Sequence, residues 1–485
     1  MLGGIALFSL MTFICPIARS FYRVEIIYNE GWTLCNTLKV VHHVPLYAAK
    51  YSWTAVDYPA LSFYVYAYLS RFIHNYLLMG RLLSIISLAI CCVLIGLIVR
   101  KLTGNLAPAF FAGFFCLGLF CTHATKYVGM YDPQMFAQVF FLSGLLLYIS
   151  SSPTLGALIA IALLFIVGGN IKHSLIQFPI AVFIDLCFVS ARKAVQFAVV
   201  STILLATSIV LSIKLCGPFF IANLTYPRTY SLLHGILDFL YNYGPILLPF
   251  VVAFIWVIGN RGDDRTRVIR IFFLVSLIVG VGFGGGTGIS INVNFANFFA
   301  ISIVLGLILY DVGRTPSPFP NHRNLWKRGY PIVLSASFVP ALFLSQYFNV
   351  WSRLQMMPVE QRQFDTETSF IEAQRGPALC ESILRCYFAG KEYVYDPFNS
   401  TRLVLFHKLD ASELVQSIAA HEYGAIQLHA PVGSLERPNE LFPDAVLDAV
   451  SHYYVLGFDD PECAIYVPKR EQLTVRSNWE IAQSE

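Results

Sequence analysis

Eleven stretches of this sequence, residues 2–18, 76–99, 106–122, 134–150, 154–170, 174–190, 195–215, 243–260, 270–287, 294–311 and 329–346, are almost uninterruptedly apolar. Each runs for roughly 17 to 24 residues, the length an α-helix needs to cross the roughly 30 Å hydrocarbon layer of a bilayer. None alternates with a period of two, which argues against barrel strands, and lipid-exposed backbone must then satisfy its polar groups within helices. The sequence therefore reads as an α-helical polytopic membrane protein with about eleven transmembrane helices. With 56% hydrophobic and only 13% charged residues, a soluble enzyme is excluded. The first run lacks a basic leader and a small-residue cleavage site, so it reads as a span rather than a signal peptide.

Charge placement sets the sidedness. Residues 58–75, YPALSFYVYAYLSRFIHN, are apolar but rich in tyrosine and broken by Arg71 and His74, which suits an interfacial helix. If that segment does not cross, the inner loops hold Arg100 and Lys101, Arg192 and Lys193, NRGDDRTRVIR and RTPSPFPNHRNLWKR, as the excess of Lys and Arg on the cytoplasmic side requires. A crossing at 58–75 would turn all of these outward. An odd number of spans with an inner N-terminus then puts the tail outside.

The expected organisation is a transmembrane domain over 1–346, with a juxtamembrane first outer loop at 19–75, followed by a small extracytoplasmic α/β domain over 347–485. In that tail, Asp410 with Glu413 three residues on, ahead of LVQSIAAHEYG, is a capping-box start for a helix that stops at Gly424. The short runs RLVLFH, AIQLHA and CAIYVPK read as strands. Cys380 and Cys386 are either a disulfide or two thiols, and Cys463 makes the local count odd. Cys15, Cys91, Cys92, Cys116, Cys121, Cys187 and Cys216 lie in or beside apolar runs and serve as small apolar residues. No Cys or His spacing suits a zinc site, no cofactor or nucleic-acid partner is expected, and dependence on a divalent metal is left open. The sequon NLT at Asn223 would accept a glycan only in a secretory context.

On the outer side the unusual polar residues collect: Glu30 in YNEGW, His42 and His43 in HHVPLY, Asp57 and Tyr58 in DYPALSF, Lys126 and Asp132 in KYVGMYDPQ, Lys172 and His173 in NIKHS, Arg228 in TYPRTY, and Asn292, Asn294 and Asn297 in GGGTGISINVNFAN. Ionisable groups at span ends are candidates for function, although a lysine or arginine there also serves as an interfacial anchor. Local sequence leaves Glu30 and Asp132 as either solvated loop carboxylates or reactive groups. Lys172 and Arg228 are either anchors or ligands of an anion. His43 is a solvated or capping residue or an acceptor contact. Trp32, Tyr47, Tyr58 and Tyr64 read first as an interfacial aromatic belt and second as a sugar or lipid platform.

The order YNEGW, PLYAA, DYPALSFYVYAYLSRF, GRLLS and YVGMYDPQMFAQ, with GGGTGISINVNFANFFAIS late in the chain and ALCESILRCYFAGKEY at the opening of the tail, resembles the GT-C superfamily of membrane glycosyltransferases. The likeness is to the bacterial branch related to the protein O-mannosyltransferases and the lipid A aminoarabinose transferases. It implies a first outer loop of juxtamembrane helices, a polyprenyl-phosphate sugar donor, and an acid in that loop as catalytic base. That acid falls on Glu30, and the acid of the next outer loop on Asp132. Two departures stand out: Asn29-Glu30 where many relatives have Asp-Glu, and Ala60 where they have a second proline.

The implied chemistry is a transfer with inversion to an extracytoplasmic glycan, lipid or protein. Glu30 takes the acceptor's proton and Asp132 orients the acceptor or Glu30. Lys172 and Arg228 stabilise the leaving phosphate, with Asp57, Tyr58, His43, Asn292 and Asn294 as substrate or acceptor contacts. The expected setting is a bacterial inner membrane with the site and tail on the periplasmic side. The competing readings are a non-catalytic lipid-binding scaffold, which Asn29 favours, and a secondary transporter. A transporter would carry midplane charges and repeated halves, whereas Asp185, Lys214 and Asp311 lie near span ends.

Overall fold

The computed structural model describes residues 2–260, 264–314, 350–434 and 441–469. In it the first apolar run forms α1, Leu2–Arg19. Two helices too short to cross follow it in the first outer loop: α2, Asn29–Val41, and α3, Leu61–Leu69. The bundle continues with α4, Tyr76–Thr103, α5, Leu106–His123, α6, Gln134–Ser150, α7, Leu155–Ile171, α8, Gln177–Val189, and α9, Ala191–Cys216. After the short α10, Phe220–Leu224, come α11, Leu232–Tyr243, α12, Leu247–Gly259, α13, Arg267–Gly284, and α14, Phe295–Arg314.

Local chemistry accounts for several boundaries. The Asn75 side chain accepts from the Leu78 amide at the head of α4, and Gly104, at φ 68°, ends that helix in the left-handed region that glycine adopts without a Cβ clash. Asn105 caps α5, Thr154 caps α7 and Ser231 caps α11 in the same manner.

Seven helical stretches among the described residues are long and apolar enough to cross a membrane, and three more, α6, α7 and α8, are apolar but shorter. The chain is an integral membrane protein. The seventeen-residue helices α6 and α7 are about 26 Å long at 1.5 Å per residue. One of the seven stretches, Leu232–Gly259, joins α11 to α12, so the expected run 243–260 covers only its second half. The expected eleventh run, 329–346, lies outside the described residues, and among the described residues ten helical stretches match or approach a span. Phenylalanines fill the interior: Phe120 packs on Phe295 and stacks on Phe299, and Phe178 packs on Phe141 and Phe272. At the ends of α6, α8 and α13 one polar knot ties three helices, with Asp185 accepting from Tyr148 Oη at 2.6 Å and from Arg267 Nε at 2.7 Å.

The chain divides into two compact units, 1–364 and 365–485, and the division falls inside α15, Val350–Ala373. The second unit carries a four-stranded sheet of β1, Ala378–Cys380, β2, Ala425–Leu428, β3, Tyr454–Asp460, and β4, Cys463–Pro468, in the order β1-β2-β4-β3. β1 and β2 are parallel, and β4 runs antiparallel to β2 and to β3, with Ile426 opposite Tyr466. Four helices accompany it: α16, Ile383–Phe388, α17, Pro397–Leu405, α18, Ala411–Ala419, and α19, Asp444–Tyr453.

Two of the three expected strands form, as β2 and β4. The third expected strand, RLVLFH, lies in α17 and the turn after it, because Asp396 caps that helix through the Asn399 amide and Pro397 presets its first turn. Asp410 does cap α18 through Ser412 N. The helix, however, ends at Ala419 and the chain turns at His421, φ 57°, before reaching Gly424. Cys380 and Cys386 form a disulfide, and Cys463 is a buried free thiol.

Candidate active site

Glu30 lies in the first turn of α2 and has no exposed surface. Its Oε1 accepts from Arg81 Nε at 2.8 Å and from the Tyr131 amide at 3.0 Å; its Oε2 accepts from Arg81 Nη2 at 2.6 Å and from the Ile26 amide at 2.8 Å. Four lone-pair positions are thereby filled. Arg81, in the second turn of α4, spends its remaining three donors on the carbonyls of Arg19, Tyr22 and Val24. All four hydrogen-bonding positions of Glu30, the residue expected as base, are thus occupied within the fold at zero exposure. What the pair does is hold residues 19–26, α2 and Tyr131 against α4.

Next to Tyr131 lies a second, largely buried group of charges. Asp132 sits between α5 and α6, and its Oδ1 accepts from the Gln134 amide at 2.8 Å, opening α6. Its Oδ2 is held only loosely, by Asn29 Nδ2 and Tyr58 Oη, each at 3.5 Å. Lys172, the first residue after α7, brings its Nζ to 3.9 Å from that oxygen and to 3.4 Å from the centre of the Tyr58 ring. The lysine side chain is 6% exposed, yet no acceptor lies within hydrogen-bond distance of its ammonium among the described residues. Burial holds its pKa below the usual 10.5, against the opposing pull of Asp132 and Asp57. Asp57 pairs with Arg228, Oδ2 to Nη2 at 3.0 Å, and about a third of the arginine side chain is open to solvent. Burial, and then the Asp132 charge, push the Tyr58 hydroxyl well above 10, so it stays protonated and donates.

Asp132, Lys172 and Tyr58 are in mutual contact, and the Asp57–Arg228 pair adjoins them through the Asp57-Tyr58 backbone, so segments distant in sequence bring together two negative and two positive charges. The first outer loop is built to present its share of them. Trp32 Nε1 donates to the Ala55 carbonyl at 3.1 Å, and its ring packs edge-on against Tyr58 at 4.8 Å and Phe63 at 5.7 Å. Tyr47 Oη donates to the Tyr58 carbonyl at 2.6 Å, and Lys39 Nζ to the Thr54 carbonyl at 2.8 Å. The loop bearing Asp132 is keyed to α4 at Gly80, where an added Cβ would stand 2.1 Å from Tyr131 Cδ2.

Other expected residues lie elsewhere. His43 is exposed at the end of α2, at φ 58°, and no described contact joins it to the cluster. Asn294 is buried between α13 and α14, where its Oδ1 would stand 2.6 Å from a Cβ at Gly280, so it packs two helices together. Asn292 reaches the neighbourhood through its backbone alone, its carbonyl accepting from Gln134 Nε2 at 3.3 Å. Trp32 and Tyr47 are buried supports of the loop rather than belt residues, whereas Tyr64 is 49% exposed. Asn223 is buried and donates to the carbonyls of Ala49 and Phe219, so it is not presented for glycosylation. Sequence reasoning missed Arg81 altogether, although an arginine inside the apolar run 76–99 is itself a signal.

This architecture has solved counterparts. The fold is shared with ArnT. The chain superposes on ArnT from Cupriavidus metallidurans bound to undecaprenyl phosphate with a TM-score of 0.61, covering 97% of this chain and 98% of that one at 11% identity. On the apo form of the same protein the TM-score is 0.63, with 96% and 97% covered at 11% identity. On the apo oligosaccharyltransferase of Archaeoglobus fulgidus it is 0.57, with 98% of this chain and 75% of that one covered, again at 11% identity. The likeness to ArnT and to the oligosaccharyltransferase meets the expectation of a GT-C architecture, and at this identity it concerns the fold. No protein-family model matches the sequence, and no curated protein does.

Proposed function

We propose that the chain is a membrane glycosyltransferase that moves a sugar from a polyprenyl-phosphate donor to an extracytoplasmic acceptor, with inversion. The observation that carries this reading is the buried Lys172 ammonium with all three donors unspent, beside Arg228 and two carboxylates. A buried cation without hydrogen-bond acceptors is costly, and a phosphate offers oxygens to fill them. Support comes from the shared fold with ArnT, whose structure holds undecaprenyl phosphate.

In this reading Lys172 and Arg228 hold the donor phosphate and stabilise the charge that grows on it as the glycosidic bond to phosphate breaks. The acceptor hydroxyl attacks the anomeric carbon from the opposite face and gives its proton to Asp132. Asp132 takes the role first expected of Glu30 because its Oδ2 is held only by Asn29 and Tyr58 at 3.5 Å, whereas both Glu30 oxygens accept two short hydrogen bonds each. Asn29 points its uncharged amide at that same oxygen. Asp57, released in part as Arg228 turns to phosphate, orients the acceptor. Asn29 also favours a second reading, a lipid binder without turnover, which would bind the donor and transfer nothing.

The test is donor binding to the purified protein. Lys172→Met should weaken affinity for a polyprenyl-phosphate sugar about 10- to 100-fold, the worth of a charge-assisted contact of roughly 1.5 to 3 kcal/mol, and unchanged affinity would remove Lys172 from the site. The sign with pH follows from the cation. Affinity is constant while Lys172 is protonated and falls about tenfold per pH unit above its depressed pKa, so the decline should begin below pH 10.5. Lys172→Arg, which does not titrate in that range, should abolish the decline.

We place the cluster on the periplasmic side of a bacterial inner membrane. The basic inner loops support this orientation. A cysteine introduced beside Asp132 should react with an impermeant thiol reagent on intact cells, and one replacing Arg265 should not. The reverse pattern would invert the topology.

A further inference from the structure

Behind the Glu30–Arg81 pair lies a pocket that the proposed reaction does not use. Arg19, Tyr22, Val24, Glu25 and Ile26 form one wall, with Lys126 from the next outer loop and Arg353, Met357 and Glu360 from the start of α15 opposite, around a small cleft that opens to solvent. Three cations and two carboxylates therefore share it, and Met357 adds a buried apolar surface. Lys126 is exposed and makes no ion pair among the described residues, while Arg353 lies 3.6 Å from Glu360. The pocket begins at Arg19, where α1 ends, which places it at the level where a span meets the bilayer surface.

We infer that this pocket binds the headgroup of a zwitterionic phospholipid, its phosphate among Arg19, Lys126 and Arg353 and its amine against Glu25 and Glu360. A purely anionic ligand would meet the two carboxylates as repulsion, and a simple cation would meet the three basic groups. A phosphate joined to an amine suits both sets at once. The site also touches the framework of the reaction centre from behind. The carbonyls of Arg19, Tyr22 and Val24 accept from Arg81, the Ile26 amide donates to Glu30, and Arg19 Nη2 donates to the carbonyls of Thr125 and Val128 at 3.0 and 2.8 Å. A bound headgroup thus rests on both loops that carry Asn29 and Asp132, and it orders them.

The experiment uses the full chain in detergent with water-soluble dihexanoyl lipids. Dihexanoylphosphatidylethanolamine should bind at least tenfold more tightly than dihexanoylphosphatidylglycerol or inorganic phosphate, and it should slow hydrogen exchange of the 124–133 amides. Lys126→Ala, a change at an exposed side chain that leaves the fold intact, should lower that affinity at least fivefold, and Glu360→Gln should narrow the preference for the amine. Lys172→Met should leave it untouched, which separates this site from the donor site. Equal binding of the glycerol lipid, binding of phosphate alone with the same affinity, or an unchanged Lys126→Ala variant each overturns the assignment.

Discussion

Glu30→Gln is expected to cost about 3 to 5 kcal/mol of stability, the penalty of leaving one member of a buried ion pair without its partner. The amide keeps the shape of the side chain but loses the charge opposite Arg81, and its NH2 group can no longer accept from both Arg81 and a backbone amide. The variant should unfold at markedly lower temperature or denaturant concentration in detergent, and turnover should fall in proportion to the folded fraction. Arg81→Met should show the same loss. If Glu30→Gln unfolds like the parent while turnover drops a hundredfold, Glu30 meets the substrate directly and its role as a support is wrong.

Asp132→Asn carries the other large effect. If Asp132 takes the acceptor proton, turnover should fall by about 10² to 10⁴. The fold should stay intact, because the asparagine oxygen can still accept from the Gln134 amide at the head of α6. Donor affinity should persist, since the cations remain. Asp57→Asn is the control: it frees Arg228 from its ion pair at 3.0 Å and should change donor affinity more than the chemical step. Full transfer by Asp132→Asn would exclude it as base, and transfer lost in Asp57→Asn alone would move the role there. A parent protein that binds donor and never transfers sugar would select the lipid-binding reading.

Much of the bundle was legible because a bilayer imposes one period and one length on whatever crosses it. Runs such as 76–99 and 134–150 then mark helices almost to the residue. The short run RLVLFH misled because four to six apolar residues fit a strand or a helix turn equally well; the Asp-Pro pair at 396–397 was the clue that decides it. Sidedness did most of the work for the site. Once Asp57, Tyr58, Asp132, Lys172 and Arg228 were placed on one face, their meeting became plausible, and the geometry brings them together. The environment of Glu30 was not legible because its partner stands 51 positions away on another helix, and no local pattern tells an open carboxylate from one whose positions are all occupied. The exposure of His43 and the burial of Asn294 are likewise properties of the assembled bundle.

The contact at Gly80 restricts how this sequence can drift. A methyl group there would overlap the Tyr131 ring, at 2.1 Å from Cδ2, so position 80 is closed to every side chain for as long as a ring occupies position 131. Descendants of this chain can change the two only in a fixed order, a smaller residue at 131 first and a larger one at 80 afterwards. Each step of that path passes next to Arg81 on one side and Asp132 on the other, so a lineage that abandons the pairing has to re-seat its ion pair and its proposed base in the same few substitutions.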